Sequence, residues 1–336
     1  MATLLAMRIS TGMSTTETLA AHIAPIAAGR ATARLDDGRA RIILDVTGLH
    51  PDSRAALEQQ LRDAALTVPG VADVQIVLTS ERVKRRIIAV ASGKGGVGKS
   101  TVSANLAIAL HRLGFRVGLV DADIHGPSQP RLMGVEGRRP TAREKVLVPV
   151  DTAYGVPLLS MGQLVAAEQA IAWRGPMMAG ALAQLVDADW GATELLVLDL
   201  PPGTGDVQLS MIQKHRPVGA VIVSTPQDLA LIDARRAIDL FQKAEIPLIG
   251  LIENMAGYRC PHCGEVSDPF GHGGAQAAAA ALEIPFLGAI PLDIAIRKAS
   301  DAGTPPVTLE GAEGGAGPLA FGAVAAQVAA WLAGPK

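Results

Sequence analysis

The chain has 336 residues, enough for one large domain with a substantial core and a smaller second one. With 49% hydrophobic and 18% charged residues a disordered chain is excluded, and a formal net charge of −2 argues against a nucleic-acid binder held by counterion release. No apolar run reaches the roughly 18 residues of a spanning helix, and the opening stretch meets Arg8 too early for a secretory signal, so a cytoplasmic protein with no membrane partner is expected.

Residues 1–80 are expected to form a small α+β domain. Ala40 to Val46 alternates as a strand, and Gly48 and Pro51 break it. Ser53 to Leu66 then has helical spacing, with Leu57, Leu61 and Ala65 on one face. After Val68-Pro69-Gly70 a second strand pattern runs from Val74 to Leu78. Residues 81–86, Glu-Arg-Val-Lys-Arg-Arg, read as a charged linker.

From residue 87 to 336 the pattern changes to short apolar strands alternating with helices. Ile87 to Ala91 leads through a Gly-rich turn into a helix from Ser100 to Leu113, closed by Gly114. Further strand patterns are Val117 to Val120, Leu195 to Leu200, Gly219 to Ser224, Leu248 to Ile252 and Phe286 to Ile290, with a helix over Leu229 to Ala244. Such alternation predicts an α/β domain of the P-loop NTPase class, with a mostly parallel, doubly wound sheet. Gly311 to Gly317 reads as a flexible connector, and Leu319 to Leu332 as a packed final helix.

Gly93-Lys94-Gly95-Gly96-Val97-Gly98-Lys99-Ser100 satisfies the phosphate-loop pattern G-x-x-x-x-G-K-[ST] between a strand and a helix. Glycines let successive N–H groups turn towards an anion, and the helix start adds the positive end of its dipole. Lys99 supplies charge to the β- and γ-phosphates of ATP, the Ser100 hydroxyl is placed to ligate Mg2+, and Thr101 is expected at the α-phosphate. Asp199 ends an apolar strand in the form expected of a Mg2+-water ligand, ahead of the turn-rich segment Pro201 to Asp206. Asp121 and Asp123 end the neighbouring strand. Alternate residues of an extended segment point the same way, so both carboxylates are expected to face the phosphates, Asp123 orienting or activating the attacking water. His125 is read as a loop residue without a special role. Lys94, directly after the first glycine, makes the loop resemble the deviant phosphate loop of MinD/ParA-type ATPases. That resemblance implies a lysine that reaches the partner's nucleotide across a homodimer, and hydrolysis that is slow and dimer-dependent. An intramolecular salt bridge is the alternative for Lys94.

The chain has two cysteines, Cys260 and Cys263, in Tyr258-Arg259-Cys260-Pro261-His262-Cys263-Gly264. Two intervening residues let a tight turn bring both thiolates to one metal, Pro261 stiffens the turn, and the arrangement favours the thiolate. A [4Fe–4S] cluster or a closed zinc site takes about four protein ligands. One chain offers two cysteines, and a dimer that brings two loops together offers four. The residues leave open a zinc site completed by His262 or His272, a redox disulfide, and inert thiols.

From about Arg86 to Val307 the chain closely resembles the Mrp/ApbC family of iron–sulfur cluster carrier ATPases. The matching blocks are Gly93 to Thr101, Asp121-Ala122-Asp123 with Gly126-Pro127-Ser128, Arg174 to Met178, and Asp199 to Asp206. They continue with Ser224 to Asp228, Glu253-Asn254-Met255, Cys260 to Gly264, Phe270-Gly271 with Gly273-Gly274, and Ile290-Pro291-Leu292. The resemblance implies a homodimer that binds ATP, holds a cluster bridging two subunits, and works with cluster assembly factors and recipient apoproteins. It further implies that Asn254 reads the adenine ring and that the segment at Pro291 borders it. The N-terminal unit is similar to a domain often fused ahead of such ATPases, through Val68-Pro69-Gly70-Val71 and Ile76 to Thr79. Having no cysteine, it is read as a docking unit. The alternative function is a positioning or partitioning switch like MinD or ParA, which predicts a basic amphipathic tail or a basic DNA-binding face and leaves the cysteines without a purpose. A nitrogenase-reductase-like electron donor would place its ligand cysteines far apart in sequence.

Overall fold

Burial on every second residue of Arg39–Asp45, with Ala40, Ile42 and Leu44 inside, makes this segment the middle strand of a half-covered sheet. The computed structural model describes residues 15–334 apart from 48, 50, 80–84, 125, 144–145, 165–174 and 311–314. The chain divides into two units, Met1–Lys84 and Arg85–Lys336.

In the smaller unit helix α1 (Thr15–Ala27) precedes strands β1 (Ala31–Asp36) and β2 (Arg39–Asp45), and helix α2 (Pro51–Leu66) crosses over to β3 (Asp73–Thr79). The order is β1-β2-β3, with β1 antiparallel and β3 parallel to β2. Leu19 and Ile23 of α1 and Leu61 and Ala65 of α2 cover one face of it. The elements α1 and β1 extend the strand-helix-strand expected from sequence. Their signal is the turn Asp37-Gly38, where φ values of 46° and 79° make a two-residue hairpin.

The larger unit contains β4 (Arg86–Ala91), α3 (Lys99–Arg112), β5 (Val117–Asp121), a small hairpin of β6 (Thr141–Arg143) with β7 (Val146–Val148), and β8 (Leu158–Ser160). After these come β9 (Leu195–Asp199), β10 (Gly219–Ser224), β11 (Leu248–Arg259), β12 (Val266–Ser267) and β13 (Phe286–Leu292). The main sheet runs β12-β11-β10-β4-β9-β5-β8, with β13 also paired to β11, and among this sheet's described strands all pairings are parallel except β11–β12. The side chains of β5, β9 and β10 are buried on both faces, as a parallel sheet covered on two sides requires. One core packs the helices Gly175–Val186 and Asp228–Lys243 against the sheet, and the other packs α3 and the final helix Gly317–Ala333.

Two extents differ from the sequence expectation. Arg86 is in β4 and Arg85 bonds the carbonyls of Thr193 and Gly191, so these two belong to the larger unit and not to a linker; 80–84 lie outside the described residues. β11 does not stop at Ile252 but runs on to Arg259, because β13 and β12 supply partners for its polar end. The final helix buries Phe321, Val324, Val328 and Leu332, and its one polar interruption, Gln327, donates to the Leu287 carbonyl at 2.7 Å. Among the described residues no helix is long and apolar enough to cross a membrane.

Candidate functional site

The carboxyl ends of β4, β5 and β9 lie side by side, because Asp121 pairs with Asp199 in register and Asp199 with Val90. The loop from β4 to α3 crosses above them. Gly96 and Gly98 take φ values of 80° and 78°, conformations that a side chain resists. A Cβ on Gly98 would also overlap the Asn254 amide. The loop lines a pocket of about 290 Å³ with Ser92, Lys94, residues 95–101, Asp123, Gly126, Ser128, Leu132 and Pro202.

Behind the loop stands a buried polar network. Lys99 Nζ is 2.5 Å from Asp199 Oδ1, which also accepts from Ser103 Oγ at 2.9 Å. Gln129 Nε2 donates to Asp199 Oδ2 at 2.8 Å and to the Ser100 carbonyl at 2.9 Å. Asp121 accepts from Ser160 Oγ at 2.9 Å and from the N–H groups of Gln129 and Asp123, each at 3.2 Å. Burial, and then the neighbouring Asp199, push its carboxyl up to about 7 against these hydrogen bonds.

This corrects one expectation. Asp123 lines the pocket, but Asp121 does not face it alongside: Asp121 is fully buried, and three donors turn its oxygens inward. Gln129, Ser103 and Ser160 were not read from the sequence; their signal is a polar residue at a strand or helix end beside an apolar run.

The chemistry of the donor set suits Mg2+. Ser100 lines the pocket, two carboxylates stand behind it, and Gln129 Oε1 is buried with no hydrogen-bond partner among the described residues, while its amide nitrogen is fixed by two acceptors.

Lys94 is half-buried at the pocket wall, and its Nζ donates to Gln227 Oε1 at 3.4 Å. Among the described residues it makes no ion pair, so the intramolecular salt bridge is not seen. Asn254 is buried and its Nδ2 donates to the Val97 carbonyl at 2.8 Å. Pro291 follows Ile290, the register partner of Asn254. His125 and Arg174 lie outside the described residues.

The cysteines sit at the tip of the ribbon formed by β11 and β12. Tyr258 pairs with Ser267 and Arg259 with Val266; the Cys260 N–H bonds the Glu265 carbonyl at 2.8 Å, and the Gly264 N–H bonds the Cys260 carbonyl at 2.9 Å. Arg259 Nη1 ties the loop at the Gly264 carbonyl, 3.1 Å away. Cys260 is partly exposed and Cys263 exposed. Backbone hydrogen bonds from Cys263 and His262, with a further one from the Cys263 side chain, hold the Cys260 thiol below its usual range. Among the described residues no three His, Cys, Asp or Glu side chains gather to hold a metal, so a zinc site completed by His262 or His272 is not assembled in one chain. His272 Nδ1 lies 3.6 Å from Asp268 Oδ1 instead.

A family model described as ParA, the NUBPL iron-transfer P-loop NTPases, matches residues 83–328. The chain is 46% identical over 286 residues to an iron–sulfur cluster carrier protein of Deinococcus radiodurans, covering 82% of this chain and 81% of that one. Among solved structures it is similar to a nucleotide-binding protein of Archaeoglobus fulgidus in complex with ADP. That match has a TM-score of 0.58 and 40% identity, and covers 66% of this chain and 87% of the other. It is also similar in fold to the cell-division ATPase MinD of Pyrococcus furiosus, with a TM-score of 0.55 and 25% identity over 73% of this chain and 99% of that one.

Proposed function

The chain belongs to the ParA/NUBPL family of iron-transfer P-loop NTPases, and from that premise we propose that it is an ATP-hydrolysing carrier of iron–sulfur clusters. The observation that carries the reading is the pair Cys260 and Cys263, presented to solvent at the tip of a strand whose body reaches the phosphate loop.

The loop N–H groups receive the phosphates, and Lys99 exchanges Asp199 for them. Ser100 would hold Mg2+, with Asp199 behind it once Lys99 turns to the phosphates, and the ion would neutralise charge on the β- and γ-phosphates. Asp123 orients the water that attacks the γ-phosphorus as ADP leaves. Lys94, whose acceptor among the described residues is the neutral, distant Gln227 amide, is available to a second copy, making hydrolysis slow and dimer-dependent. Asn254 Oδ1 is left to accept from the adenine amine, with Pro291 beside it. The cargo is a cluster, [4Fe–4S] by ligand count, held by two cysteines from each subunit and passed to apoproteins. A positioning switch finds no support in the final helix, whose apolar face is spent on the core.

Anaerobic reconstitution with iron and sulfide tests the reading, beside a Cys260→Ser/Cys263→Ser double variant. About four irons and four sulfides per dimer, lost in the variant, are expected. Zinc or no metal bound, with ATP hydrolysis intact, would overturn it.

A further inference from the structure

β11 begins between β10 and β13 and ends at the cysteine pair, and it is not uniform along its length. Up to Asn254 it is clamped between β10 and β13. Both oxygens of Glu253 are fixed as well, by the N–H groups of Gly273 at 3.3 Å and Ala275 at 2.7 Å. At the far end β12 holds Tyr258 and Arg259.

Between these two grips the ladder is broken. Asn254 opposes Ile290 and Tyr258 opposes Leu292, so Met255, Ala256 and Gly257 together span the single residue Pro291. Pro291 has no N–H to donate there. Met255 and Gly257 take φ values of 60° and 65°, and for a methionine that conformation is strained. A bulge of this kind sets the direction in which the rest of a strand points.

The clamped side of the bulge touches the nucleotide loop twice. Asn254 Nδ2 holds the Val97 carbonyl at 2.8 Å, and the Met255 methyl lies 3.7 Å from where a Cβ on Gly98 would stand. The Val97 carbonyl and the Gly98 N–H are two ends of one planar peptide unit. Gly98 lines the pocket. Any rotation that aims its N–H at a phosphate therefore carries the Val97 oxygen along, and with it the acceptor of Asn254.

We propose that Asn254 and Met255 are positioning residues that couple nucleotide occupancy to the placement of Cys260 and Cys263 through the bulge Met255–Gly257. This rests on the carrier reading above, since it is the bound cluster that feels the placement. Such a coupling is reciprocal: the factor by which nucleotide changes cluster affinity is the factor by which the cluster changes nucleotide affinity.

The test is calorimetric titration of the full-length chain with Mg–ADP under anaerobic conditions, before and after loading with iron and sulfide. A change in ADP affinity of about fivefold or more is expected on loading. Met255→Gly relieves the left-handed strain and removes the side chain that stands beside Gly98, and Asn254→Ala removes the bond to Val97. Each is expected to keep its cluster content and bring the ratio to within about twofold of unity. An unchanged affinity in loaded wild-type protein overturns the proposal. So does a full-sized ratio in both variants, which would send the coupling by another route, such as subunit association. Failure of the wild type to load overturns it together with the carrier reading, and the iron and sulfide assays tell that case from the others.

Discussion

Lys99 Nζ stands 2.5 Å from Asp199 Oδ1, so the phosphate-binding lysine is held from behind by the carboxylate at the end of β9. Both side chains are buried, at 6% and 0% exposure, and an unmatched charge here has little water to turn to. Lys99→Met is expected to destabilise the nucleotide-free protein by about 3–5 kcal/mol, and the double variant Lys99→Met/Asp199→Asn by much less. Denaturant unfolding of wild type, Lys99→Met, Asp199→Asn and the double variant checks this. Additive losses would show that the pair does not hold the empty state.

Asp121 gives the empty protein a pH dependence of predictable sign. Its carboxyl titrates at about 7 when folded against 3.8 for the free group, so between those values the folded state keeps a proton that the unfolded chain releases. This contribution to stability is complete below about pH 4 and is lost as pH rises through about 7. Asp121→Asn cannot titrate. Its melting temperature, relative to wild type, should therefore climb across that window and level off above it. Parallel curves would mean that Asp121 is charged throughout.

Gly93 and Gly95 differ in what a methyl would meet. At Gly93 it would overlap the carbonyl of Asp233 and the nitrogen of Ala234, backbone atoms of the helix Asp228–Lys243. At Gly95 the nearest atom is Pro202 Cγ, 3.9 Å away. Gly93→Ala is expected to lose about 1–3 kcal/mol or more, and Gly95→Ala no more than about 0.5 kcal/mol. Thermal unfolding without nucleotide separates them.

Lys94 and Asp123 offer a test of shared sites. Lys94→Ala should lower kcat by about 10³-fold, in the range of a charge supplied in trans, with ATP affinity changed far less. Asp123→Ala should also be inactive. Mixed, the two variants should regain activity, because one site in each heterodimer then has both groups. No recovery on mixing, with heterodimers present, would place Lys94 in its own subunit's site.

Legibility followed the range of the interactions. The phosphate loop and the carboxylates of β5 and β9 could be read because their chemistry depends on residue type at short spacing next to apolar strands. The continuation of β11 past Ile252 could not, since Glu253-Asn254-Met255-Ala256-Gly257 has neither alternation nor a β-branched run. It is extended because β12 and β13 pair with it, and those partners are set by the sheet. The inward turn of Asp121 escaped notice for the same reason: its donors Ser160 and Gln129 come from distant segments. In the small unit β1 alternates Ala and Leu with Thr, Arg and Asp, too weak an apolar signal beside the clear run of β2.

The two sulfurs at the ribbon tip are chemically unequal. Cys260 is partly sheltered and receives backbone hydrogen bonds, while Cys263 is exposed, with the Glu265 carboxylate 3.9 Å from its sulfur. A metal bound to both would therefore have one sheltered ligand and one open to solvent. On the carrier reading an incoming thiolate would meet the exposed Cys263 side first, while Cys260 still holds, so a cluster would leave one bond at a time.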